Sequence, residues 1–230
     1  MNDISTKFYN AFIVKDRWQL YIQGLGVTIE IAVLAGLIGI VIGCIVALMK
    51  LSEPKKGHRH SLWWYIATAY VDIIRGTPSV LQLLIMWFIV FASSNNGVLV
   101  ASLSFGINSG AYVSEIIRAG ILAVDKGQME AGRSLGLSKA QTMKEIVLPQ
   151  AFKNVLPPIG NEFITLIKET AIVGYVSLSD LTRVASQISS RTYEAFMPLI
   201  GAAVIYFVLI KILTLLLEAF ERRLRKSDLR

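Results

Sequence analysis

The chain has 230 residues, of which 54% are hydrophobic and only 17% charged, with a net charge of +7 and a mean hydropathy of +0.57. Soluble domains carry roughly a quarter charged residues, so this shortage, together with apolar runs of about 20 residues or more, excludes an ordinary water-soluble domain and defines a polytopic membrane protein. The basic residues stand in blocks beside the apolar runs, which fits membrane topology and not nucleic-acid binding. The single cysteine, Cys44, excludes an intrachain disulfide and a cysteine-based metal cage.

Residues 1–24 mix Phe8, Tyr9, Phe12, Trp18 and Tyr21 with Lys7, Lys15 and Arg17. This pattern predicts an amphipathic or irregular segment on the outer membrane face, with Trp18 and Tyr21 as interfacial anchors. A first span follows over about residues 25–49. Gly36, Gly39 and Gly43 within it predict close helix–helix approach, and Cys44 reads as a packed small residue of the same helix. Glu30, near its start, belongs at the interface or against a cavity. Lys50, Lys55, Lys56 and Arg59, with His58 and His60, are opposed only by Glu53. That block marks the cytoplasmic side and places the N-terminus outside; the two histidines lack the further ligands a metal needs.

Residues 61–92 exceed one span. Trp63, Trp64 and Tyr65 form an interfacial belt, Asp72 and Arg75 stand one helical turn apart and can pair, and Gly76-Thr-Pro78 predicts a break before a steep helix over about 80–92. After a turn at residues 93–97, the third span, about 98–124, carries Ser102, Ser104, Asn108, Ser109, Tyr112, Ser114, Glu115 and Arg118. Lipid does not tolerate such a surface on all sides, so much of it faces protein or water.

Residues 126–149 are the longest polar interval. Residues 130–135 predict a short helix stopped at Gly136 in a left-handed conformation. Ser138 with Gln141 three residues on predicts the capping box of a second helix, interrupted at Pro149. A loop folded as helix–glycine–helix exceeds what a connector needs and reads as a docking element on the cytoplasmic side. A fourth span starts near Pro157-Pro158 and reaches about 176. Residues 177–194 form an outer loop with Ser179 capping a short helix, and a fifth span over about 196–220 contains Lys211, which snorkels or pairs with another span. Arg222, Arg223, Arg225 and Lys226 form a third basic block. The expectation is an all-α membrane protein with about five transmembrane helices, N-terminus outside and C-terminus cytoplasmic. It comprises an N-terminal segment 1–24, one transmembrane domain 25–220 with the loop 126–149, and a basic tail 221–230.

The run Glu130-Ala131-Gly132, then Gly136, Ile146 and Leu148-Pro149, resembles the EAA signature of permease subunits of ATP-binding-cassette importers. Gly24 with Thr28, Arg75-Gly-Thr-Pro78 with Gln82, Tyr112-Val-Ser-Glu-Ile-Ile-Arg118 with Gly120, and Lys126-Gly-Gln128 extend the likeness to the polar amino-acid branch. So do Leu156-Pro-Pro158, Gly160-Asn161 and Lys168-Glu-Thr170. Two positions depart from the pattern: Gly132 stands where alanine is usual, and Ala171 where a serine often follows.

The resemblance implies a type I importer permease fold in a bacterial inner or plasma membrane. It implies pairing with a second copy or a paralogue around the path, docking of a solute-binding protein outside, and seating of the loop in an ATPase subunit. Glu130, Ala131, Gly132, Gly136, Leu148 and Pro149 then carry the coupling. The chain contains no G-x-x-x-x-G-K-[ST] phosphate loop, so ATP and Mg²⁺ are expected on the partner, with no cofactor and no catalytic residue here. Opines or small peptides are alternative cargoes of the same machine; a secondary transporter or channel is the alternative of another class.

Candidates for the substrate path are Asn161, Glu162, Thr165, Lys168, Glu169 and Glu115. Asn161, Thr165 and Lys168/Glu169 follow helical spacing and can form one stripe. Counted from Pro158, Lys168 lies about 15 Å along the helix, close to mid-membrane, where charge is costly. The stripe meets a zwitterion, or Lys168 satisfies a neighbouring acid. Glu115 and Arg118, one turn apart, can simply neutralise each other.

Overall fold

The computed structural model describes residues 4–51 and 60–226. The block around Lys55, Lys56, His58 and Arg59, and the end of the tail at 227–230, lie outside the described residues. Among the described residues every regular element is helical.

Before the first long helix, α1 (Ile4–Phe8) leads through a π-turn (Tyr9–Ile13) and a 3-10 turn (Val14–Asp16). Lys15 and Asp16 both adopt left-handed backbone, φ 54° and 51°, which turns the chain sharply into α2 (Arg17–Leu51). The Arg17 guanidinium donates to the Asn10 carbonyl across that corner. Helix α2 thus starts eight residues before the predicted span, because Gln19 and Gln23 interrupt the apolar pattern without interrupting the helix. Tyr21 is buried, its hydroxyl 3.5 Å from the Pro198 carbonyl. It is therefore a packing residue, and of the two predicted anchors only Trp18 is exposed. Cys44 is likewise exposed, not packed.

Helices α3 (Leu62–Arg75) and α4 (Ser79–Ile85) are broken where Gly76-Thr-Pro78 predicts, and α4 ends in a π-turn (Met86–Val90). No Asp72–Arg75 ion pair forms among the described residues; Arg75 instead places its guanidinium carbon 5.1 Å from the centre of the Tyr112 ring, a cation–π contact. The side chain of Asn96 accepts from the Leu99 N–H at 3.0 Å at the start of α5 (Gly97–Leu122). Of the apolar stretch in α5, 67% is buried, and Ser102, Ser104, Asn108, Ser109 and Ser114 are all inside. These five polar side chains of the span are thus turned into the protein and away from lipid.

Helices α6 (Lys126–Ser134) and α7 (Lys139–Thr142) lead through a π-turn (Met143–Val147) into α8 (Leu148–Glu169). Pro149, Pro157 and Pro158 correct the expectation. None of them ends or starts a helix: Pro149 occupies the first turn of α8, and Pro157 and Pro158 lie inside it. The proline ring crowds the carbonyl four residues back, and the wider π-turn just before Pro149, closed by the Leu148 N–H on the Met143 carbonyl, relieves that crowding. Lys168 consequently sits in the last turn of α8, before a 3-10 segment (Thr170–Val176). Helix α9 (Leu181–Thr192) is capped by Asp180 and not Ser179: the carboxylate accepts from Thr182 N–H at 2.9 Å and Arg183 N–H at 3.0 Å. Helix α10 (Phe196–Lys226) completes the chain.

Among the described residues, three helical stretches are individually long and apolar enough to cross a membrane: Ile4–Leu51, Gly97–Leu122 and Phe196–Leu224. The broken pair Leu62–Arg75 and Ser79–Val90 makes a fourth. Helix α8, the fourth of the five predicted spans, is not among them.

The residues divide into two compact units. In the first (Met1–Gly36, Ser79–Phe105, Phe163–Leu215), Ile31, Leu83, Phe105, Leu166, Ile167 and Val173 form one core. Tyr21, Leu181, Val184, Ile188 and Ala202 form another. In the second (Leu37–Pro78, Gly106–Glu162, Leu216–Arg230), Val46, Ala67, Val71 and Ala111 pack together, as do Val124, Val147 and Ala151. A side chain at Gly39 or Gly43 would meet Ser109 at 3.0 Å or Val113 at 2.5 Å, so the predicted close approach is made against α5.

Candidate functional site

The loop at 126–149 is a capped helical hairpin within the second unit. The Asp125 carboxylate accepts from the Gly127 N–H at 2.6 Å and starts α6. At the far end Gly136 has φ +87°, its N–H bonds the Arg133 carbonyl at 3.1 Å, and the Leu137 N–H reaches Gly132 O at 3.1 Å. These two bonds make a Schellman closure, which needs a residue tolerant of left-handed backbone. Arg133 adds a side-chain bond to the Leu137 carbonyl at 3.1 Å. Ser138 and Gln141 form the predicted capping box, at 3.2 and 2.9 Å.

Gly132 is buried because it faces the other arm. A Cβ there would collide with the Thr142 side chain and stand 3.1 Å from the Ile146 Cδ1. Glu130, Ala131, Leu135, Leu148 and Pro149 are exposed, Leu135 by 81%. The signature residues therefore divide into two kinds: Gly132 and Gly136 shape the hairpin, whereas the other four present surface. Leu135, an apolar side chain at the tip that local spacing did not single out, joins the second kind. Gln150 ties the hairpin base through the Ile146 carbonyl at 3.0 Å and the Gln128 side chain at 3.3 Å.

Of the path candidates, Glu115, Asn161 and Glu162 belong to the second unit. Glu115 bonds Lys50 at 2.5 Å and Arg118 at 3.0 Å, so the predicted local pair gains a second cation that the topological reading of Lys50 had hidden. Glu162 is half-buried and accepts from the Ser109 hydroxyl at 2.9 Å. Asn161 is exposed, donates to the Pro157 carbonyl at 3.2 Å, and lines a cavity of about 500 Å³ with Lys153, Asn154, Pro157, Pro158 and Glu221. Thr165, Lys168 and Glu169 belong to the first unit; Thr165 and Glu169 are half-buried and Lys168 is exposed. The predicted pairing of Lys168 with an acid is not made among the described residues.

Sequence reasoning missed one polar cluster of the first unit. Asp180 is fully buried; besides its two backbone donors it lies 3.4 Å from the Tyr206 hydroxyl, which is 3.3 Å from the Thr182 hydroxyl, while the Leu181 N–H reaches Thr28 Oγ1 at 3.3 Å. Burial pushes the Asp180 carboxyl above its ordinary range, and its hydrogen bonds pull it only part of the way back.

With three or four apolar spans among the described residues, a polar but buried third span and a capped hairpin between polar helices, the chain is an integral membrane protein of the permease class. Residues 39–226 match the family described as the binding-protein-dependent transport system inner membrane component, and the chain belongs to that family. It is 45% identical over 212 residues to the arginine transport system permease protein ArtQ of Bacillus subtilis, covering 90% of this chain and 93% of the relative. It is 39% identical over 206 residues to the putative glutamine transport system permease protein GlnP of Rickettsia bellii, covering 88% and 92%. A solved amino acid ABC transporter with histidines shares 44% identity at a TM-score of 0.83, over 92% of this chain and 98% of its own. The MetNI methionine ABC transporter, in an inward-facing form, shares the fold at a TM-score of 0.77 and 20% identity, over 90% and 97% of the two chains. The type I importer permease fold and the inner-membrane location follow from these matches.

Proposed function

We propose that this chain is the permease subunit that carries a polar amino acid across the membrane, driven by ATP hydrolysis on a separate subunit. The observation that carries the coupling is the hairpin. Its two glycines hold a rigid, doubly capped tip, and Glu130, Ala131, Leu135, Leu148 and Pro149 are left to present a surface. A capped hairpin that exposes small and apolar groups beside the charge of Glu130 is a shape that seats in a groove of an ATPase, and the π-turn joins it directly to α8. The absence of a phosphate loop from the sequence supports assigning ATP and Mg²⁺ to that partner. An outside binding protein delivers the solute, as the family's description implies. The arginine and glutamine relatives support a polar amino acid as cargo. Glu162, with Asn161 beside it, or else Glu169, is the acid proposed to meet its ammonium.

Reconstitution tests this. The chain, its ATPase and its binding protein in proteoliposomes should take up a polar amino acid only with ATP, and omission of the ATPase should abolish uptake. Uptake by the chain alone, driven by an ion gradient, would instead establish a secondary transporter.

A further inference from the structure

We propose that the cavity between the corner leading into α2 and the end of α9 binds the phosphate headgroup of an anionic phospholipid in the outer leaflet. This rests on the reading that the start of α2 lies on the outer side of the membrane. The cavity, of about 480 Å³, is lined by Lys15, Asp16, Arg17, Gln19, Gln23 and Arg191, all residues of the first unit. Three cations therefore face one carboxylate. None of the ion pairs formed among the described residues involves any of these four charged groups, so Asp16 is paired with none of the cations. The Arg17 guanidinium gives one donor to the Asn10 carbonyl, out of the five that an arginine carries. Lys15, Asp16 and Arg191 are exposed. Left-handed backbone at Lys15 and Asp16, uncommon outside glycine, forms the corner that carries the first two.

A cavity with positive charge in excess calls for an anion. Ammonium and guanidinium groups both bind phosphate oxygens, arginine through two parallel donors. What selects a lipid over a free anion is the surface that continues from the cavity. Trp18, Ile22 and Ile29 of α2 are exposed, and their helical spacing puts them on one side of the helix. Gln19 and Gln23, each one residue on from Trp18 and Ile22, bring the cavity to the edge of that apolar strip. From Arg17 to Ile29 is about 18 Å of helix, against about 15 Å for half of the hydrocarbon core. A phosphate held by Arg17 and Arg191 thus lets an acyl chain lie along the strip, with Trp18 at the headgroup level where tryptophan is enriched. The excess charge favours a headgroup that is itself anionic. Phosphatidylglycerol also offers hydroxyls to Asp16 and to the two glutamines, whereas the choline of phosphatidylcholine brings a further cation and no donor.

Trp18 is the reporter for the test. In the full-length chain carrying Trp63→Phe, Trp64→Phe and Trp87→Phe, Trp18 is the one tryptophan left, and lipids with brominated chains quench it on contact. In mixed vesicles brominated phosphatidylglycerol should compete for the site about fivefold or more better than brominated phosphatidylcholine. Arg191→Gln should lower that ratio, and Lys15→Gln with Arg191→Gln should bring it close to one, while Lys139→Gln on the hairpin leaves it unchanged. Both substituted cations of the cavity are exposed, so the chain keeps its fold, and its thermal midpoint in phosphatidylcholine vesicles checks this. Equal quenching by both lipids, or a preference that neither substitution lowers, would overturn the site. A preference abolished by inorganic phosphate would overturn it in favour of a soluble anion. Substitutions that weaken capture of the solute-binding protein but not the lipid preference would overturn it in favour of an acidic protein surface. Orientation is read separately. In a Cys44→Ser background Lys15→Cys should react with a membrane-impermeant maleimide from outside, and reaction only from the cytoplasm would overturn the outer-leaflet assignment whatever the lipid preference.

Discussion

Gly136 and Asp180 show how far single residues decide local structure. At φ +87° Gly136 occupies a backbone region that costs other residues about 1–2 kcal/mol, and β-branching adds to that. Gly136→Val should therefore loosen the hairpin without disturbing insertion: in the assembled transporter ATP hydrolysis continues while uptake falls, and normal uptake would refute the coupling role. For the path, Glu162→Gln and Glu169→Gln each remove a charge that a bound ammonium would meet. A charge-assisted hydrogen bond of about 1.5 kcal/mol corresponds to roughly a tenfold rise in KM for uptake; unchanged affinity and rate in both variants would refute contact. Asp180 yields a pH prediction. Because burial raises its folded-state pKa, the unfolded chain ionises first, and stability falls as pH rises from the ordinary aspartate range through the raised value. Asp180→Asn should flatten that slope in thermal denaturation measured across acidic to neutral pH; an unchanged slope would show that the carboxyl is not responsible. Gly136, Ser138 and Gln141 were legible because their bonds run within four residues. Ser179 and Asp180 are both capable caps, and Asp180 is the one held among distant partners: the Tyr206 hydroxyl, 26 positions away, bonds its carboxylate, and the next residue, Leu181, bonds Thr28, 153 positions away, which no local rule reveals.

At the level of elements, proline placement separates what pattern predicts from what packing allows. The rule that proline breaks helices located the α3–α4 break correctly, since Gly76 and Pro78 act together there. It misplaced the start of α8, where Pro157 and Pro158 are carried inside a helix of 22 residues. Each lacks a backbone N–H, so the middle of α8 has two donors fewer than an ordinary helix, and both prolines border the 500 Å³ cavity. The prolines thus soften the helix that leads from the hairpin. Replacing both by alanine should supply two further backbone donors, raise the thermal midpoint of the solubilised protein, and slow ATP-driven uptake. A lower midpoint would mean that proline packing outweighs the missing donors.

For the whole molecule, the number of spans is where sequence and structure part most clearly. Apolar length alone identifies α2, α5, α10 and the broken α3–α4 pair. Helix α8 escapes that criterion because it carries Asn154, Asn161, Glu162, Lys168 and Glu169, the side chains that make it a candidate for the path. Its crossing is inferred from charge placement: the hairpin is basic, as cytoplasmic loops are, while residues 177–194 follow on the other end of α8. Leu135 at the hairpin tip and Tyr193 after α9 are 81% and 98% exposed, and α8 is the one long helix between them. In a Cys44→Ser background, Leu135→Cys should react with a membrane-impermeant maleimide only from the cytoplasmic side and Tyr193→Cys only from outside. Labelling of both from one side would mean that α8 enters and leaves by the same face, and the total would fall from five crossings to an even number. Opposite labelling leaves α8 spanning the bilayer with its acids inside protein or water, since lipid would not hold them, and joins the hairpin to the far side through one continuous, proline-softened rod.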